Sequence, residues 1–290
     1  MSKVYIIHHD ADNDGLLSAY IAQKALLEID FEVVLIGYDY GRSLDEIKSI
    51  PRRSLVYMLD ISLPLEDMVE LAIFNQLTWI DHHKKTYDEA FDRLKDLCII
   101  KYGTMAACRL TWRYFYPNQT EPKFVELVGR YDVFDGFGSN DWETEILPFE
   151  YAVRGAVSKV SDFAAIEKAP VLRLYHEGVC ILGYLQSQVN KESKFANLIE
   201  WRGHKTLLSI GGGDGAMWYN TPRYAQEQPD LLAFAYYVYE TKSWKVSLRQ
   251  GANKENPVDC AELASQFEFE GRKGGGHKNA AGFRSKDLPF

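Results

Sequence analysis

The stretch KVYIIHHDADNDGLLSAYIAQKALLEI, residues 3–29, passes from an apolar, β-branched segment through eight residues dense in ligand chemistry into an amphipathic run. A short strand, a polar loop and a helix in that order make the opening unit of a parallel sheet flanked by helices. The alternation Asp10, Asp12, Asp14 followed by Gly15 also matches the start of a calcium-binding EF-hand loop, which must close with a bidentate Glu at its twelfth position. Counted from Asp10 that position is Ile21, inside the helical pattern. The EF-hand reading therefore fails, and the ligands need another owner.

The same alternation continues outward from this unit. Strands are expected near 3–8, 32–37, 54–59 and 77–80, and helices near 15–29, 42–49, 64–74 and 87–95. Each strand is nearly continuous in apolar residues, as strands buried on both faces should be. Ligands of such sheets bind outside the carboxyl ends of the strands. After KVYII comes HHDADNDG, after SLVYML comes Asp60, and after LTWI comes DHHKK, residues 81–85. Three strand ends thus deliver metal-ligating side chains to one edge of one sheet.

From 100 to 135 the pattern turns helical, and PKFVELVGRYDVFD ends with two candidate carboxylates, Asp132 and Asp135. The segment 136–162 carries no assigned role; its Trp142 is weighed as a base-stacking ring and more readily as a packed aromatic. A long helix near 170–196 precedes a second alternation, with strands at 205–210, 231–239 and 244–249 and helices at 221–227 and 258–267. The glycines of GGGDG, 211–215, lack a following Lys-Ser/Thr and read as a turn. The chain ends in GRKGGGHKNAAGF. This organisation predicts an α/β protein with a parallel-sheet N-terminal domain over 1–170, a linker helix over 171–200 and a smaller α/β domain over 201–290.

Of the 290 residues 46% are hydrophobic and 26% charged, an ordinary globular balance that excludes disorder as the default. There is no signal-peptide pattern and no 18-residue apolar run, so a cytoplasmic protein with no membrane association is expected. Four scattered cysteines, with no CxxC pair, argue against a zinc knuckle or a disulfide framework. A net charge of −8 argues against coating long nucleic acid, because that affinity comes from many Lys and Arg contacts to phosphate. A short anionic substrate remains open, met locally by metal ions or a small basic cluster.

His8, Asp12, Asp14, Asp60, His82 and Asp132 form the candidate metal site. Four carboxylates and two imidazoles in one crevice would be costly unless cations neutralised them, and two divalent ions cancel the four charges. His8 and Asp12 would complete one shell, Asp14, His82 and Asp132 the other, with Asp60 as the bridge. Mixed carboxylate and imidazole ligation suits Mn²⁺, with Mg²⁺, Co²⁺ or Fe²⁺ as alternatives. Three consecutive glycines, Gly274, Gly275 and Gly276, with His277, Lys273 and Lys278 beside them, supply backbone donors and positive charge for a phosphate.

His-x3-Asp-x-Asp, then DIS, then DHH, then a helical Asp resembles the DHH phosphoesterase superfamily, and the terminal GGGHKNAAGF resembles its DHH-associated substrate domain. The resemblance spans nearly the whole chain and places it with the nano-RNase, cyclic-dinucleotide phosphodiesterase and single-strand exonuclease branches. It implies a two-Mn²⁺ hydrolase of phosphodiesters, its active site in the cleft between the two domains. It further implies that His83 faces the scissile phosphate, that Asp81 orients a neighbouring imidazole, and that Arg249 grips substrate phosphate or base. His9 and Asp10 have no firm counterpart in that ligand set. The expected partner is a short oligonucleotide or a linear or cyclic dinucleotide, and a homodimer is left open. Competing readings are a nucleoside 3′,5′-bisphosphate phosphatase, an inorganic pyrophosphatase or polyphosphatase, and a non-catalytic nucleotide sensor or replication scaffold.

Overall fold

The computed structural model describes residues 3–211, 215–253 and 257–290. The chain divides into two compact units, Met1–Ile181 and Leu182–Phe290. The first holds β1 (Lys3–His9), α1 (Asn13–Glu28), β2 (Glu32–Tyr38), α2 (Asp45–Lys48), β3 (Leu55–Leu59), α3 (Leu65–Phe74), β4 (Gln76–Asp81), α4 (Lys84–Leu94) and β5 (Ile99–Tyr102). Helices α5 (Ala107–Phe115), α6 (Lys123–Asp132), α7 (Leu147–Ala156) and α8 (Phe163–Lys168) follow, with a π-helical turn at Trp142–Ile146. The long helix α9 (Val171–Glu192) contains the division between the units.

The first sheet is wholly parallel, in the order β2-β1-β3-β4-β5. Its central strands are dry on both faces: Val4, Ile6, Ile7, Val56, Met58, Leu59 and Ile80 are fully buried, which explains their unbroken apolar runs. On one face Ile7, Met58 and Trp79 pack with Met68 and Leu71 of α3 and Leu94 of α4. The chain leaves β1 in one direction to β2 and in the other to β3. The β1/β3 boundary is therefore the switch point at which open α/β sheets hold their ligands.

β5 corrects the sequence reading, which took the chain from 100 onward as helical. IIKY is a four-residue edge strand that alternates exposed and half-buried positions, too short to show a period of its own.

The second unit contains β6 (Asn197–Trp201), β7 (His204–Ile210), α10 (Pro222–Glu227), β8 (Leu231–Val238), β9 (Ser243–Gln250) and α11 (Cys260–Ser265). The short pair β10 (Glu268–Phe269) and β11 (Arg272–Lys273) precedes β12 (Gly275–His277) and β13 (Ala280–Ser285). Six of these strands form a mixed sheet in the order β12-β13-β9-β8-β7-β6, in which only β7 and β8 run parallel. Its core packs Leu231, Val246, Leu248 and Phe283 against Leu263 and Ala264 of α11. Residues 212–214 of GGGDG, two glycines and an aspartate, lie outside the described residues. Among the described residues no helix is long and apolar enough to cross a membrane.

Candidate metal centre

Strand register assembles the site. Parallel pairing aligns His8 with Leu59 and Leu59 with Ile80, so the next residues, His9, Asp60 and Asp81, leave three adjacent strands at one level. Asp60 is 2% exposed and adopts a left-handed backbone (φ 58°), a conformation that Asp and Asn tolerate better than most residues. The loop after β1 turns at once into α1. Asp12 caps that helix by accepting the Gly15 N–H at 3.0 Å. A Cβ on Gly15 would sit 2.6 Å from His9 Cβ, so glycine there lets the helix start pack directly on the end of β1.

Two trios of ligand atoms result, each with all its atoms within 4.8 Å of one another: His9, Asp12 and Asp60, and Asp14, His82 and Asp132. His9 Nδ1 lies 2.9 Å from Asp12 Oδ2 and 3.7 Å from Asp60 Oδ2. His82 Nε2 lies 3.3 Å from both Asp60 Oδ1 and Asp132 Oδ2, and 3.8 Å from Asp14 Oδ2. Asp60 therefore faces both trios. Asp14 is oriented by the N-terminus of α5, its two oxygens accepting the Ala107 and Cys108 N–H groups at 2.8 Å each.

The donor set fits a divalent cation. His9 Nδ1, Asp60 Oδ1 and Asp132 Oδ2 are buried yet make no aligned hydrogen bond despite their short separations. Converging lone pairs of that kind suit a cation, since a buried polar atom otherwise takes a partner. Their electrostatics agree. Burial and the Asp14 carboxylate raise Asp60 well above the usual carboxylate range, and the same two causes raise Asp132. Burial disfavours a charged His9 ring, but Asp12 and Asp60 outweigh it and push its pKa up to about 11.

One ligand expectation needs correcting: the structure brings His9, not His8, to Asp12 and Asp60. His8 is 4% exposed, its Nδ1 is 2.9 Å from the His9 carbonyl oxygen, and burial holds its pKa down. β1 runs one residue further than expected, so His9 is the strand's last residue and stands level with Asp60. Of Asp132 and Asp135, the first stands in a trio, while the second pairs with Arg130 at 3.2 Å. Asp10 pairs with Arg42 instead of joining either trio.

Asp81 and His83 form a second constellation beside Asp60. Asp81, 2% exposed, accepts the His82 and His83 backbone N–H groups at 2.6 and 3.0 Å and the Trp79 indole N–H at 3.2 Å. His83 Nδ1 lies 2.7 Å from the same carboxylate. Burial works against ionisation of both groups, yet their pairing holds Asp81 below and His83 above its ordinary pKa. With Nδ1 committed to Asp81, Nε2 is the ring nitrogen left for a reacting group.

Sequence reasoning missed Glu150 on α7. It is buried, takes a hydrogen bond from Asn13 at 3.0 Å between the two metal-facing aspartates, and pairs with Arg154 at 2.8 Å. A glutamate in an unassigned segment gave no signal of this.

In the second unit, Ala280 stands beside His277 of β12 on one side and Arg249 of β9 on the other, so the two cationic candidates flank one strand. The three glycines differ. A Cβ on Gly274 would strike Phe283 Cβ and the Ala264 carbonyl, and Gly276 has φ 143° and lies against Ala281, so packing and backbone demand both. Gly275 has open space around it, and with His277, Lys273 and Lys278 it is exposed.

Residues 221–289 match the DHHA1 domain. An uncharacterized protein of Acanthamoeba polyphaga mimivirus is 24% identical over 312 residues, covering 96% of this chain; the chain spans 66% of that relative, just under two thirds of its length. The pGpG-specific phosphodiesterase PggH of Vibrio cholerae superposes with a TM-score of 0.53 at 12% identity, over 98% of this chain and 93% of that one. An exopolyphosphatase-related protein of Bacteroides fragilis gives a TM-score of 0.53 at 18% identity, over 99% and 88%. At such identities the likeness speaks for the fold, a parallel-sheet unit followed by a second, mixed-sheet one. The family match covers the C-terminal segment alone, and the strand-end DHH motif, residues 81–83, lies ahead of it in the chain.

Proposed function

We propose that this protein is a divalent-metal-dependent phosphoesterase that hydrolyses phosphodiester bonds in short oligonucleotides or dinucleotides. The observation that carries the reading is the pair of carboxylate and imidazole trios meeting at Asp60, on the ligand-binding edge of the sheet. His9, Asp12 and Asp60 would hold one cation, and Asp14, His82 and Asp132 the other; oxygen-rich ligation with imidazole favours Mn²⁺. Two such ions, when bound, acidify a water and neutralise charge on the reacting phosphate. His83, with Nδ1 held at Asp81, would protonate the leaving oxygen or stabilise charge developing on it. Buried, backbone-anchored Asp14 and Asp81 keep these groups from reorganising during the reaction.

The acidic chain favours a substrate of few nucleotides over a long strand. The exposed edge at Gly275, His277, Lys273 and Lys278, with Arg249 two strands away, suits phosphate oxygens. PggH, which has the same fold, acts on the linear dinucleotide pGpG, a substrate of the proposed class. A cytoplasmic setting accords with four free thiols.

The test is a substrate panel with and without Mn²⁺: linear and cyclic dinucleotides, a labelled pentanucleotide, a nucleoside 3′,5′-bisphosphate and inorganic pyrophosphate, with products resolved by length. Mn²⁺-dependent turnover of the linear dinucleotide and the pentanucleotide is expected. Turnover confined to the bisphosphate or to pyrophosphate would reassign the substrate, and tight binding of every nucleotide without turnover would make the protein a sensor.

A further inference from the structure

Resting on that phosphoesterase reading, we propose that Phe134 and Phe137 form a ledge on which a base of the nucleotide substrate stacks. Helix α6 ends at Asp132, whose carboxylate belongs to the second metal trio. The chain then folds back immediately. Phe134 takes a left-handed backbone (φ 55°), Gly136 and Gly138 follow at φ 87° and 78°, and the Asp135 N–H returns to the Arg130 carbonyl at 2.9 Å. Phe134 is thus held two residues from a metal-facing carboxylate, with their Cα atoms within about 7 Å.

Behind it the rings are already stacked. Trp142, 3% exposed, lies near-parallel to both Tyr131, at 5.3 Å and 17°, and Phe134, at 5.9 Å and 14°, and those two rings are 6.4 Å apart, so the three form a triangle. Phe137 stands edge-on to both Phe134, at 6.0 Å and 78°, and Trp142, at 5.3 Å and 75°. Trp142, the ring considered from sequence as a base stacker, is therefore buried within the aromatic cluster. The exposed members are Phe134, at 54%, and Phe137, at 57%. A base laid on Phe134 would add a ring to an existing aromatic cluster, with Phe137 forming a wall. Arg154, over the Tyr131 ring at 4.9 Å, adds positive charge to the cluster. Two exposed phenyl rings on a strained turn, backed by a buried tryptophan and placed beside the reacting centre, fit a flat aromatic group better than a phosphate. A nucleobase is the part of this substrate class that offers one.

The experiment compares equilibrium binding of the linear dinucleotide pApA with that of its abasic analogue, which keeps both phosphates and sugars. Ca²⁺ replaces Mn²⁺ to limit turnover, and wild type, Phe134→Ala and Phe134→Trp are measured side by side. Wild type is expected to prefer pApA. Phe134→Ala should lose about 5- to 150-fold in affinity for pApA, the range found for single base–aromatic stacks, with the abasic affinity unchanged and Phe134→Trp restoring the preference. Equal affinity of wild type for the two ligands, or an equal loss on both in Phe134→Ala, would overturn the ledge. So would loss of a dimer on Phe137→Ala with base preference intact, which would make the patch a contact between copies of this chain. Absence of turnover in the substrate panel would sink the phosphoesterase reading while leaving this binding comparison decisive for the ledge.

Discussion

Replacing Asp60 by Asn should make the metal-free protein more stable and the Mn²⁺-loaded protein less stable than wild type, a crossing that a merely structural aspartate would not produce. Asn keeps the shape and tolerates the left-handed backbone at this position, so the change isolates the charge. In the metal-free protein Asp60 is 2% exposed, and its ligand oxygen lies within 4.8 Å of that of Asp12. At an effective dielectric of 20, two like charges at that distance repel by about 3 kcal/mol. Proton uptake by Asp60 and a charged His9 relieve part of that, so the expected gain is about 1–3 kcal/mol, or roughly 3–10 °C for a unit of this size. Because burial raises the folded-state pKa of Asp60, its contribution is fully present in acid and lost as pH rises above the ordinary carboxylate range. The advantage of the variant should therefore widen from about pH 4 upward.

Adding Mn²⁺ reverses the order. A cation at 100 times its dissociation constant stabilises the folded state by about 2.7 kcal/mol per site, and Asp60 faces both proposed sites. Replacing its anionic oxygen with a neutral amide should remove most of that gain together with turnover. The assay is thermal unfolding of both proteins in EDTA and across a Mn²⁺ series, at pH 5 and pH 8. A variant that unfolds at lower temperature than wild type in EDTA, or that gains the same upward shift with Mn²⁺, would refute the shared-ligand geometry.

His9→Asn should lose the Mn²⁺-induced thermal shift while His8→Asn keeps it at lower overall stability; in wild type, Mn²⁺ affinity by calorimetry should climb up to about tenfold per pH unit through neutrality, because a ring titrating near pH 11 must give up its proton to bind metal. His83→Asn should lower kcat by about 10²- to 10⁴-fold and leave the metal-induced shift intact, as measured by steady-state kinetics beside thermal unfolding. Burial raises the Glu150 pKa to about 7 against the opposing pull of Arg154 and Asn13, so its contribution to stability is present below about pH 4.5 and lost as pH rises through 7; Glu150→Gln should flatten that part of the denaturant-midpoint profile by at most about 3 kcal/mol. Gly276→Ala should destabilise the second unit by about 1–3 kcal/mol in urea, given its left-handed backbone and its contact with Ala281, whereas Gly275→Ala should fold normally and weaken phosphate binding.

What the sequence made legible, and what it hid, follow from the physics of each signal. β1, β3 and β4 were readable because a strand buried on both faces must be apolar throughout, and the ligand edge was readable because the polar residues start where those runs stop. Asp12 and Asp14 were readable for a further reason: one caps α1 and the other lies in its first turn, a local arrangement that short spacing fixes. The glycine-rich C-terminus hid its strands, because glycine has little strand propensity and β12 and β13 are defined by ladder pairing, Gly276 with Ala281 and Ala281 with Leu248. Glu150, Phe134 and Phe137 carry no periodic or motif signal, since what gives them meaning is their position next to residues more than a hundred places earlier or just past a helix end. The choice between His8 and His9 is the sharpest case. Adjacent identical residues offer the same chemistry, a shift of one residue exchanges the faces of a strand, and only pairing with Leu59 decides which imidazole reaches Asp60. The paired substitutions at His8 and His9 therefore test register as much as ligation, and a metal shift that vanished with His8 and survived loss of His9 would move the end of β1 by one residue and the first cation site with it.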